Sequence, residues 1–426
     1  MIPSKSKSFC IYPFTHLNVK ANGHLTVCNR CQPLEKITST NSLEKFWSSE
    51  KVSDLRKRLA NGERPQECIA CWQLEDSGSR SYRQEALEKN SPHYRWLEKS
   101  ITNDQFQTNN HKVKEIELRF GNLCNLKCKM CSPKFSSKWE KELQQNADLN
   151  KWISSDHENF DIYDLNRLVS PEDISLSNKA ILKSLDSNSL DLEWVMFSGG
   201  EPLLQKEHYQ VLEKLLPNAH NIVLEYTTNL NYLNFEKYDA LKLWKNFKKV
   251  YLKISLDADP LIYEYVRSGG NIHTVEENIE RIRTTVDSKN FSVIGTCTTS
   301  LYNIERLPEI ITYFINKHIY VHTSLVEYPS FLSPQVFPAP IKEVISKKIS
   351  SFTKNLSVDQ IPNDPLGFID QNQQLKRSLK WTTNCLNYMN GEDLSHLWNH
   401  FLKFNSFFDK NNEQLFKFYP DWKKFT

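Results

Sequence analysis

The sequence has 426 residues, of which 39% are hydrophobic and 25% charged, and its formal net charge is +3. This length exceeds what one ordinary domain needs, so we expect two or three units with buried cores. A mean hydropathy of −0.57, with no apolar run of about 18 residues, argues against a membrane-spanning chain. The first ten residues lack the apolar segment of a secretory signal, so a cytoplasmic protein is expected. The nearly balanced charge neither requires nor excludes a nucleic-acid partner.

Residues 1–90 contain the first group of cysteines and predict a small α+β module. Asn22-Gly23 lies between two short apolar runs, which is typical of a β-hairpin. A helical pattern follows from about Ser42 to Leu59. Residues 91–112 are mostly polar, and we expect them to form a linker.

Strand patterns alternate with helical patterns after this linker. The predicted strands begin at Val113 and then cover Leu192–Ser198, Asn221–Thr228, Val250–Leu256, Phe291–Thr299 and Tyr320–Tyr328. The predicted helices cover about Ser136–Gln144, Lys206–Leu216, Tyr238–Phe247, Val275–Val286 and Leu307–Lys317. This alternation predicts an α/β fold with parallel strands, and six strands favour a partial (β/α)6 TIM-like barrel over residues 113–340. Residues 145–190 are polar and are expected to be an insertion.

Residues 341–426 predict a helical C-terminal extension that is rich in aromatic residues. Such aromatic side chains are expected to pack onto their own domain rather than onto a ligand. Within the extension, His396 and His400 have the i, i+4 spacing of a metal-binding pair, although surface or packed histidines are the simpler interpretation. Cys385 is expected to be a buried thiol, with donation of a hydrogen atom to a substrate radical as the alternative.

The cysteines indicate metal binding. The chain has ten, and in a reducing cytosol such clusters favour metal ligands over disulfides. Cys124, Cys128 and Cys131 follow the first barrel strand on one loop. Three thiolates can bind three irons of a four-iron cluster and leave the fourth iron open to a small molecule. The alternative is zinc, but a closed zinc site usually takes four ligands.

Cys297 lies within a predicted strand and is expected to belong to the core.

A second motif, Ser198-Gly199-Gly200-Glu201-Pro202, ends the second predicted barrel strand. Two glycines allow close approach of the backbone to a ligand, and a carboxylate can accept hydrogen bonds from an ammonium group. The carboxyl ends of barrel strands are where β/α barrels place their chemistry. Taken alone, this segment would also fit a tight turn.

Together the two motifs resemble those of the radical SAM superfamily. The resemblance implies a 4Fe–4S cluster on Cys124, Cys128 and Cys131, whose open iron chelates the amino and carboxylate groups of S-adenosylmethionine. It also implies reductive cleavage to a 5′-deoxyadenosyl radical that abstracts a substrate hydrogen. Further segments resemble the branch of the superfamily that carries SPASM or twitch extensions. The residues that this resemblance assigns to S-adenosylmethionine are Met130, Ser198, Gly199, Gly200, Glu201, Asn229, Ser255, Arg267 and Leu325.

Two of these assignments carry a qualification, and one neighbouring residue is left without an assignment. Met130 stands where the family usually has an aromatic residue beside the adenine, and methionine can fill the same space. Leu325 also fits ordinary core packing. Asp257, close to Ser255, is interpreted as a helix-capping residue at the end of a strand.

The N-terminal cysteines admit two interpretations. Cys28, Cys31, Cys68 and Cys71 form two CxxC pairs that could close a zinc site, although their separation exceeds the usual ribbon spacing. Alternatively, Cys10, Cys28, Cys68 and Cys71 resemble the auxiliary-cluster pattern of twitch or SPASM modules, which implies a second 4Fe–4S cluster. Cys31 would then be a spare thiol or a substitute ligand. Such modules usually follow the barrel, whereas this one precedes it.

Three functions remain open from the sequence. The first is an oxidoreductase or modifying enzyme that acts on a peptide or protein side chain, or on a related small molecule, with flavodoxin or ferredoxin as the reductant. The second is a radical SAM enzyme that modifies a nucleotide or nucleic acid. The third is an iron–sulfur or zinc protein without catalysis.

Overall fold

The computed structural model describes most of the chain. The residues outside the described part are 1–6, 39–41, 77, 79, 89–90, 100, 103–104, 107–110, 156–160, 164, 166–167, 187–189 and 327. Parts of the predicted linker at 91–112 and of the predicted insertion at 145–190 therefore lie outside the described residues. Within the described part, no helix is long and apolar enough to cross a membrane.

Both strands and helices occur along the described part of the chain. The strands are β1 His16–Val19, β2 His24–Thr26, β3 Glu35–Lys36, β4 Ile101–Thr102, β5 Gln105–Phe106, β6 Val113–Leu118, β7 Lys127–Cys128, β8 Leu190–Phe197, β9 Val223–Thr228, β10 Asn234–Phe235, β11 Tyr238–Asp239, β12 Lys249–Ser255, β13 Arg267–Ser268, β14 Phe291–Thr299 and β15 Tyr320–Leu325. The α-helices are α1 Tyr12–Thr15, α2 Leu43–Trp47, α3 Glu50–Ala60, α4 Ile69–Asp76, α5 Tyr82–Ala86, α6 Pro92–Lys99, α7 Ser137–Gln145, α8 Ala147–Ser154, α9 Pro171–Ser184, α10 Lys206–Leu215, α11 Ala240–Trp244, α12 Tyr263–Val266, α13 Ile272–Thr285, α14 Leu307–Asn316, α15 Ala339–Asn355, α16 Gln371–Met389, α17 Trp398–Ser406 and α18 Glu413–Phe418.

The first of two compact units comprises Met1–Gly121, Val169–Glu225 and Lys242–Lys248. Its strands follow the order β8-β6-β1-β2-β3. Strand β6 pairs in parallel with β8 on one side and with β1 on the other, whereas β1, β2 and β3 pair antiparallel. The cysteine-rich module therefore extends the sheet that contains the first two predicted barrel strands. The hairpin prediction is confirmed, with Gly23 at a φ of +72° in the turn.

The second unit comprises Asn122–Leu168, Tyr226–Leu241 and Lys249–Thr426. Strands β12, β14 and β15 pair in parallel in the order β15-β14-β12, with α13 and α14 as their connections. Strand β9 spans the boundary between the two units. The α/β fold class is confirmed, with the six strands expected of a partial (β/α)6 barrel.

The C-terminal extension is helical, as predicted, and its aromatic residues pack within the second unit. The rings of Tyr419 and Trp422 stack with their centroids 4.1 Å apart, and Phe404 stacks on Trp139 at 6.0 Å. Aromatic pairs at these separations add to the stabilisation from burial. The extension is therefore part of the core of its unit.

Two predicted helices are wrong in extent, and local capping explains both. The pattern over 42–59 forms two helices, because Ser42 and Ser49 each cap a new helix by accepting a hydrogen bond from a backbone amide. The pattern over 238–247 begins as strand β11, and Asp239 then accepts a hydrogen bond from the amide of Leu241 at the start of α11. In both segments, short polar side chains outweigh the apolar periodicity.

Candidate functional site

The loop with the second group of cysteines is anchored by a short strand pair. Cys128 in β7 lies opposite Arg267 in β13, and the amide of Lys129 donates to the carbonyl of Val266 at 2.9 Å. The amide of Cys131 donates to the carbonyl of Cys128 at 2.9 Å, which turns the chain. These backbone bonds bring two of the three predicted cluster ligands into one tight turn.

Helix α7 clamps the same loop from its N-terminal end. The hydroxyl of Ser137 bonds both the amide and the carbonyl of Cys124, at 3.2 and 3.3 Å. The hydroxyl of Ser136 donates to the carbonyl of Leu126 at 2.6 Å, and the indole of Trp139 donates to the carbonyl of Cys128 at 2.8 Å. Since each of these bonds satisfies a backbone group of the loop, helix α7 and the β7–β13 strand pair together fix the loop conformation.

The sulfur of Cys124 faces two N–H donors. The amide of Leu126 lies 3.5 Å from Sγ, and the Nδ2 atom of Asn229 lies 3.9 Å from it. Asn229 also donates to Oδ1 of Asn125 at 2.8 Å. The structure thus brings Asn229, predicted to contact S-adenosylmethionine, against the cysteine loop. N–H donors near a thiolate sulfur favour its charged form and tune the potential of a bound cluster.

Arg267 is held beside the loop by a buried ion pair. Its guanidinium contacts the carboxylate of Asp257, and the exposed fractions of the two side chains are 7% and 5%. Asp257 also accepts a hydrogen bond from the amide of Thr298 at 2.7 Å. Burial raises the pKa of Cys128, and the charge of Arg267 opposes that rise. The expectation that Asp257 caps a helix missed this pairing, which only the folded chain reveals because ten residues separate the partners.

The Ser198–Pro202 motif belongs to the first unit and follows strand β8. Gly199 has a φ of +114°, and a Cβ there would lie 3.2 Å from the carbonyl oxygen of Gly121. The amide of Gly200 donates to that same oxygen at 3.2 Å. The close approach expected of these glycines is therefore made, at least in part, to the protein backbone. The carboxylate of Glu201 is buried and accepts from the amide of Leu203 at 3.1 Å.

The hydroxyl of Ser198 joins a buried charged network. It donates to Oε1 of Glu117 at 3.0 Å and accepts from Nε of Arg119 at 3.0 Å. Although burial opposes ionisation, Arg119 holds the pKa of Glu117 below its usual value. This network orients the start of the motif, and sequence patterns gave no signal for Glu117 beyond its place on a half-buried strand.

The first group of cysteines surrounds a common cavity in the first unit. The cavity is lined by Cys10, Cys28, Cys31, Cys68 and Cys71, together with Tyr12, Arg30, Tyr82 and Arg83. Among the described residues, no three His, Cys, Asp or Glu side chains converge on the one point that a mononuclear ion needs. Burial raises the pKa of Cys10 well above its usual range and that of Cys28 to about 12.

Cys31 belongs to this cavity as well. A hydrogen bond between the thiols of Cys31 and Cys68 lowers the pKa of Cys68 and raises that of Cys31. The two CxxC segments are also joined by a backbone bond from the amide of Gln32 to the carbonyl of Glu67 at 2.9 Å. All five cysteines of both sequence interpretations therefore line one cavity.

Three other predicted contact residues lie in the second unit. Met130 is half-buried in the cysteine loop, Ser255 is half-buried at the end of β12, and Leu325 is half-buried at the end of β15. Ser255 lies in register with Thr296, and Leu325 with Thr299. Both lie at the carboxyl ends of their strands, where the chemistry of such folds is expected.

The remaining candidates are two cysteines and two histidines of the second unit. Cys297 and Cys385 are fully buried, as expected of core thiols, and the thiol of Cys385 contacts the hydroxyl of Thr299 at 3.5 Å. His396 is exposed, and His400 packs near Trp152 with the rings 6.3 Å apart.

Comparisons with known protein families identify two domains in the chain. Residues 118–312 match the model of the radical SAM superfamily, and residues 10–72 match that of SPASM, an iron–sulfur cluster-binding domain. The chain therefore carries a radical SAM domain and a SPASM domain. This radical SAM enzyme thus carries its iron–sulfur cluster-binding domain before the radical SAM domain, and 4Fe–4S clusters and S-adenosylmethionine are the cofactors that the two domains imply.

Individual relatives of this radical SAM enzyme are distant. A probable GTP 3′,8-cyclase of Methanococcus aeolicus is 25% identical over 173 residues, which are 40% of this chain and 46% of that protein. The chain therefore spans less than half of that relative. Among solved structures, native anSMEcpe with bound AdoMet covers 57% of this chain and 58% of its own, with 17% identity and a TM-score of 0.33. The match to Streptococcus suis SuiB bound to S-adenosylmethionine covers 82% of this chain and 70% of the SuiB chain, with 13% identity and a TM-score of 0.35.

The donor sets of the radical SAM enzyme fit such cofactors. One loop presents three thiols, and one cavity is lined by five. Thiols whose pKa is raised by burial are poor anions on their own, and iron binding replaces their protons. Both groups thus have the chemistry that iron–sulfur clusters require.

Proposed function

We propose that this radical SAM enzyme binds a catalytic 4Fe–4S cluster through Cys124, Cys128 and Cys131 and modifies a peptide or protein side chain, or a related small molecule. The observation that carries the proposal is the loop itself, whose three thiols leave one iron of a four-iron cluster free. When bound and reduced, such a cluster supplies the electron that cleaves S-adenosylmethionine and so yields the radical that removes a substrate hydrogen.

The residues of the chain have distinct tasks in this proposal. Asn229 and the amide of Leu126 donate towards the Cys124 sulfur and stabilise its thiolate form. Arg267, fixed by Asp257, keeps a cation near Cys128. Glu201, the backbone of Gly199 and Gly200, and Ser198 are assigned to the amino end of S-adenosylmethionine. Met130, Ser255 and Leu325 are assigned to the rest of that molecule.

A second 4Fe–4S cluster is proposed for Cys10, Cys28, Cys68 and Cys71, with Cys31 as the spare thiol. Four protein ligands would leave no iron open, so this site suits electron transfer rather than direct binding of substrate. The organisation proposed is an auxiliary module over 1–90, a linker over 91–112, a barrel over 113–340 and an extension over 341–426.

The proposed class of substrate is favoured because the N-terminal module resembles SPASM and twitch modules, which occur in enzymes that act on ribosomal peptides, on protein residues and on small alcohols. Reductive cleavage also needs an external electron, for which a flavodoxin or ferredoxin is proposed. Ten free cysteines favour a reducing cytoplasmic location for this oxidoreductase. The second candidate is a nucleotide substrate, which the partial match to a probable GTP 3′,8-cyclase favours.

A substrate test can separate the two classes. The reconstituted protein, with reductant and S-adenosylmethionine, is incubated either with short peptides encoded beside its gene or with GTP. The proposal predicts a mass change in a peptide, and deuterium transfer from that peptide to 5′-deoxyadenosine. Consumption of GTP, with every peptide unchanged, would reject the peptide class in favour of the nucleotide.

A further inference from the structure

The cysteine loop also carries two lysines. Lys127 in β7 and Lys129, directly after that strand, flank Cys128 in the sequence. Both lysines line a cavity of about 270 Å³ in the second unit, which Phe407 and Phe408 of the C-terminal extension also line. The two lysines flank the same cysteine but have different surroundings.

Lys129 is a buried cation in an aromatic environment. Its side chain is 6% exposed, and its ammonium lies 4.3 Å from the ring centre of Tyr265 and 5.4 Å from that of Tyr302. The ammonium donates to Oδ1 of Asn405 at 3.0 Å. A buried charge is costly unless acceptors and ring faces compensate it, as they do around Lys129.

Asn405 is the point at which several elements meet. It is fully buried in α17, and its Oδ1 atom accepts from the hydroxyls of Tyr265 and Tyr302, each at 3.1 Å, as well as from Lys129. Its Nδ2 atom donates to Oδ1 of Asn412 at 2.8 Å. Asn405 lies 276 residues after Lys129, so this contact ties the C-terminal extension to the cysteine loop.

We propose that Lys129 is a positioning residue through which the C-terminal extension holds the cysteine loop in its cluster-binding conformation. The inference rests on the proposed cluster at Cys124, Cys128 and Cys131. Because Lys129 also donates its amide to Val266 in the β7–β13 pair, its side chain and its backbone anchor the loop on two sides. The loop is thereby preorganised before a cluster binds.

Lys127 provides a matched comparison. It also flanks Cys128, but its ammonium pairs with Glu142 of α7, and the exposed fractions of the two side chains are 25% and 26%. Removing the charge of Lys127 alters the electrostatics near the loop and leaves the Lys129–Asn405 bond in place. Substituting each lysine in turn therefore distinguishes the effect of a lost charge near the loop from the effect of a lost contact that positions the loop.

Hydrogen exchange in the cluster-free protein tests the inference. We expect Lys129→Met and Asn405→Leu each to accelerate exchange at the amides of residues 129 and 131 about 10-fold to 100-fold, because a hydrogen bond to a charged group is lost. The double variant should exchange no faster than Asn405→Leu alone, since Asn405→Leu has already removed the contact that Lys129→Met removes. Lys127→Met should leave these amides unchanged, and strand β12 serves as the internal control for global stability.

The reconstituted proteins give a second readout. Lys129→Met and Asn405→Leu should weaken the change that S-adenosylmethionine causes in the EPR spectrum of the reduced cluster, and Lys127→Met should preserve it. If Asn405→Leu does not fold, Tyr302→Phe removes one hydroxyl from Asn405 and should accelerate loop exchange more weakly. Unchanged loop exchange in Lys129→Met would overturn the inference. A wild type that binds no cluster at these cysteines would instead overturn the proposed function, since the exchange result does not depend on iron.

Discussion

Arg267 and Asp257 form a buried ion pair directly behind the cysteine loop, and Arg267 lies opposite Cys128 in the β7–β13 strand pair. Asp257 is fixed in turn by the amide of Thr298 at the end of β14. The carboxylate of Asp257 therefore positions the cation of Arg267 beside Cys128, although Asp257 itself is not part of the β7–β13 strand pair. This arrangement makes the loop sensitive to a substitution at Asp257.

We expect Asp257→Asn to lower the free energy of unfolding by about 3 kcal/mol, because Arg267 would remain buried without its counter-charge. Urea or thermal unfolding of the protein measures this change. Glu343→Gln, which removes the partner of Lys347 in a pair exposed by 66% and 74%, is the control and should leave the melting temperature unchanged. Equal melting temperatures for the two variants would contradict the role assigned to the pair.

Iron content tests the two thiol groups separately. Anaerobic reconstitution should give about eight irons per chain, as two four-iron clusters require. Replacing Cys124, Cys128 and Cys131 together by alanine should leave about four, because the N-terminal thiols are untouched. Zinc retained by the N-terminal module, together with only four irons, would contradict the second cluster.

The spare thiol can be identified by single substitutions. Cys31→Ser should keep the auxiliary cluster, because it leaves all four proposed ligands in the cavity. Cys28→Ser should lose the cluster, because it removes one of those four ligands. Iron and sulfide analysis of each variant, with the EPR spectrum of the remaining cluster, provides the comparison. If Cys31→Ser lost the auxiliary cluster and Cys10→Ser kept it, Cys31 would be the ligand and Cys10 the spare thiol.

Gly199→Ala should weaken S-adenosylmethionine binding at least about 5-fold. A side chain at a φ of +114° is strained, and the new Cβ would press on the carbonyl of Gly121, so the motif must shift. Calorimetric titration of the reconstituted protein measures the affinity. Gly367→Ala also places a side chain at a positive φ, +70°, but lies in the second unit outside the motif, where its Cβ would be 3.5 Å from Oγ of Ser288, and it should bind as the wild type does. If both variants bound S-adenosylmethionine equally weakly, the prediction that the Ser198–Pro202 motif binds S-adenosylmethionine would be contradicted.

The pH dependence of stability should include a contribution from His208. Burial lowers the pKa of this histidine to about 3, while the unfolded chain has the ordinary value of about 6.5. Between these values the unfolded state binds a proton that the folded state does not. Stability is therefore fully present above pH 6.5 and falls as the pH drops towards 3, by about 1.4 kcal/mol per pH unit.

His208→Leu isolates this contribution. As the pH falls from 6.5 to 5, the unfolding free energy of the wild type should fall more than that of the variant. The reason is that the variant has no imidazole to protonate on unfolding. Unfolding in urea at several pH values measures the difference. A difference independent of pH would mean that His208 is protonated equally in both states.

Much of the fold followed from local pattern. The strand predicted over Phe291–Thr299 has those same bounds, and the other five barrel strands lie within a few residues of their predictions. Periodicity reports local burial, so it identifies elements well. It could not reveal that β1 pairs in parallel with β6, since that pairing joins residues about a hundred positions apart.

The site was less accessible to sequence reasoning. The spacing of the three cysteines and the glycine pair are local features of the sequence, so both motifs could be recognised without the structure. The bonds from Lys129 to Asn405 and from Arg267 to Asp257 depend on tertiary packing and have no local signature. The predicted assignments to S-adenosylmethionine stay predictions, and binding measurements on the variants above test them.

The central claim is that the loop of Cys124, Cys128 and Cys131 supports reductive cleavage of S-adenosylmethionine. The most direct measurement is the amount of 5′-deoxyadenosine that the anaerobically reconstituted protein forms with dithionite and S-adenosylmethionine in the absence of substrate. We predict slow formation by the wild type and by Cys71→Ala, and none by Cys128→Ala. Absence of 5′-deoxyadenosine from a wild type that holds about eight irons would contradict the account.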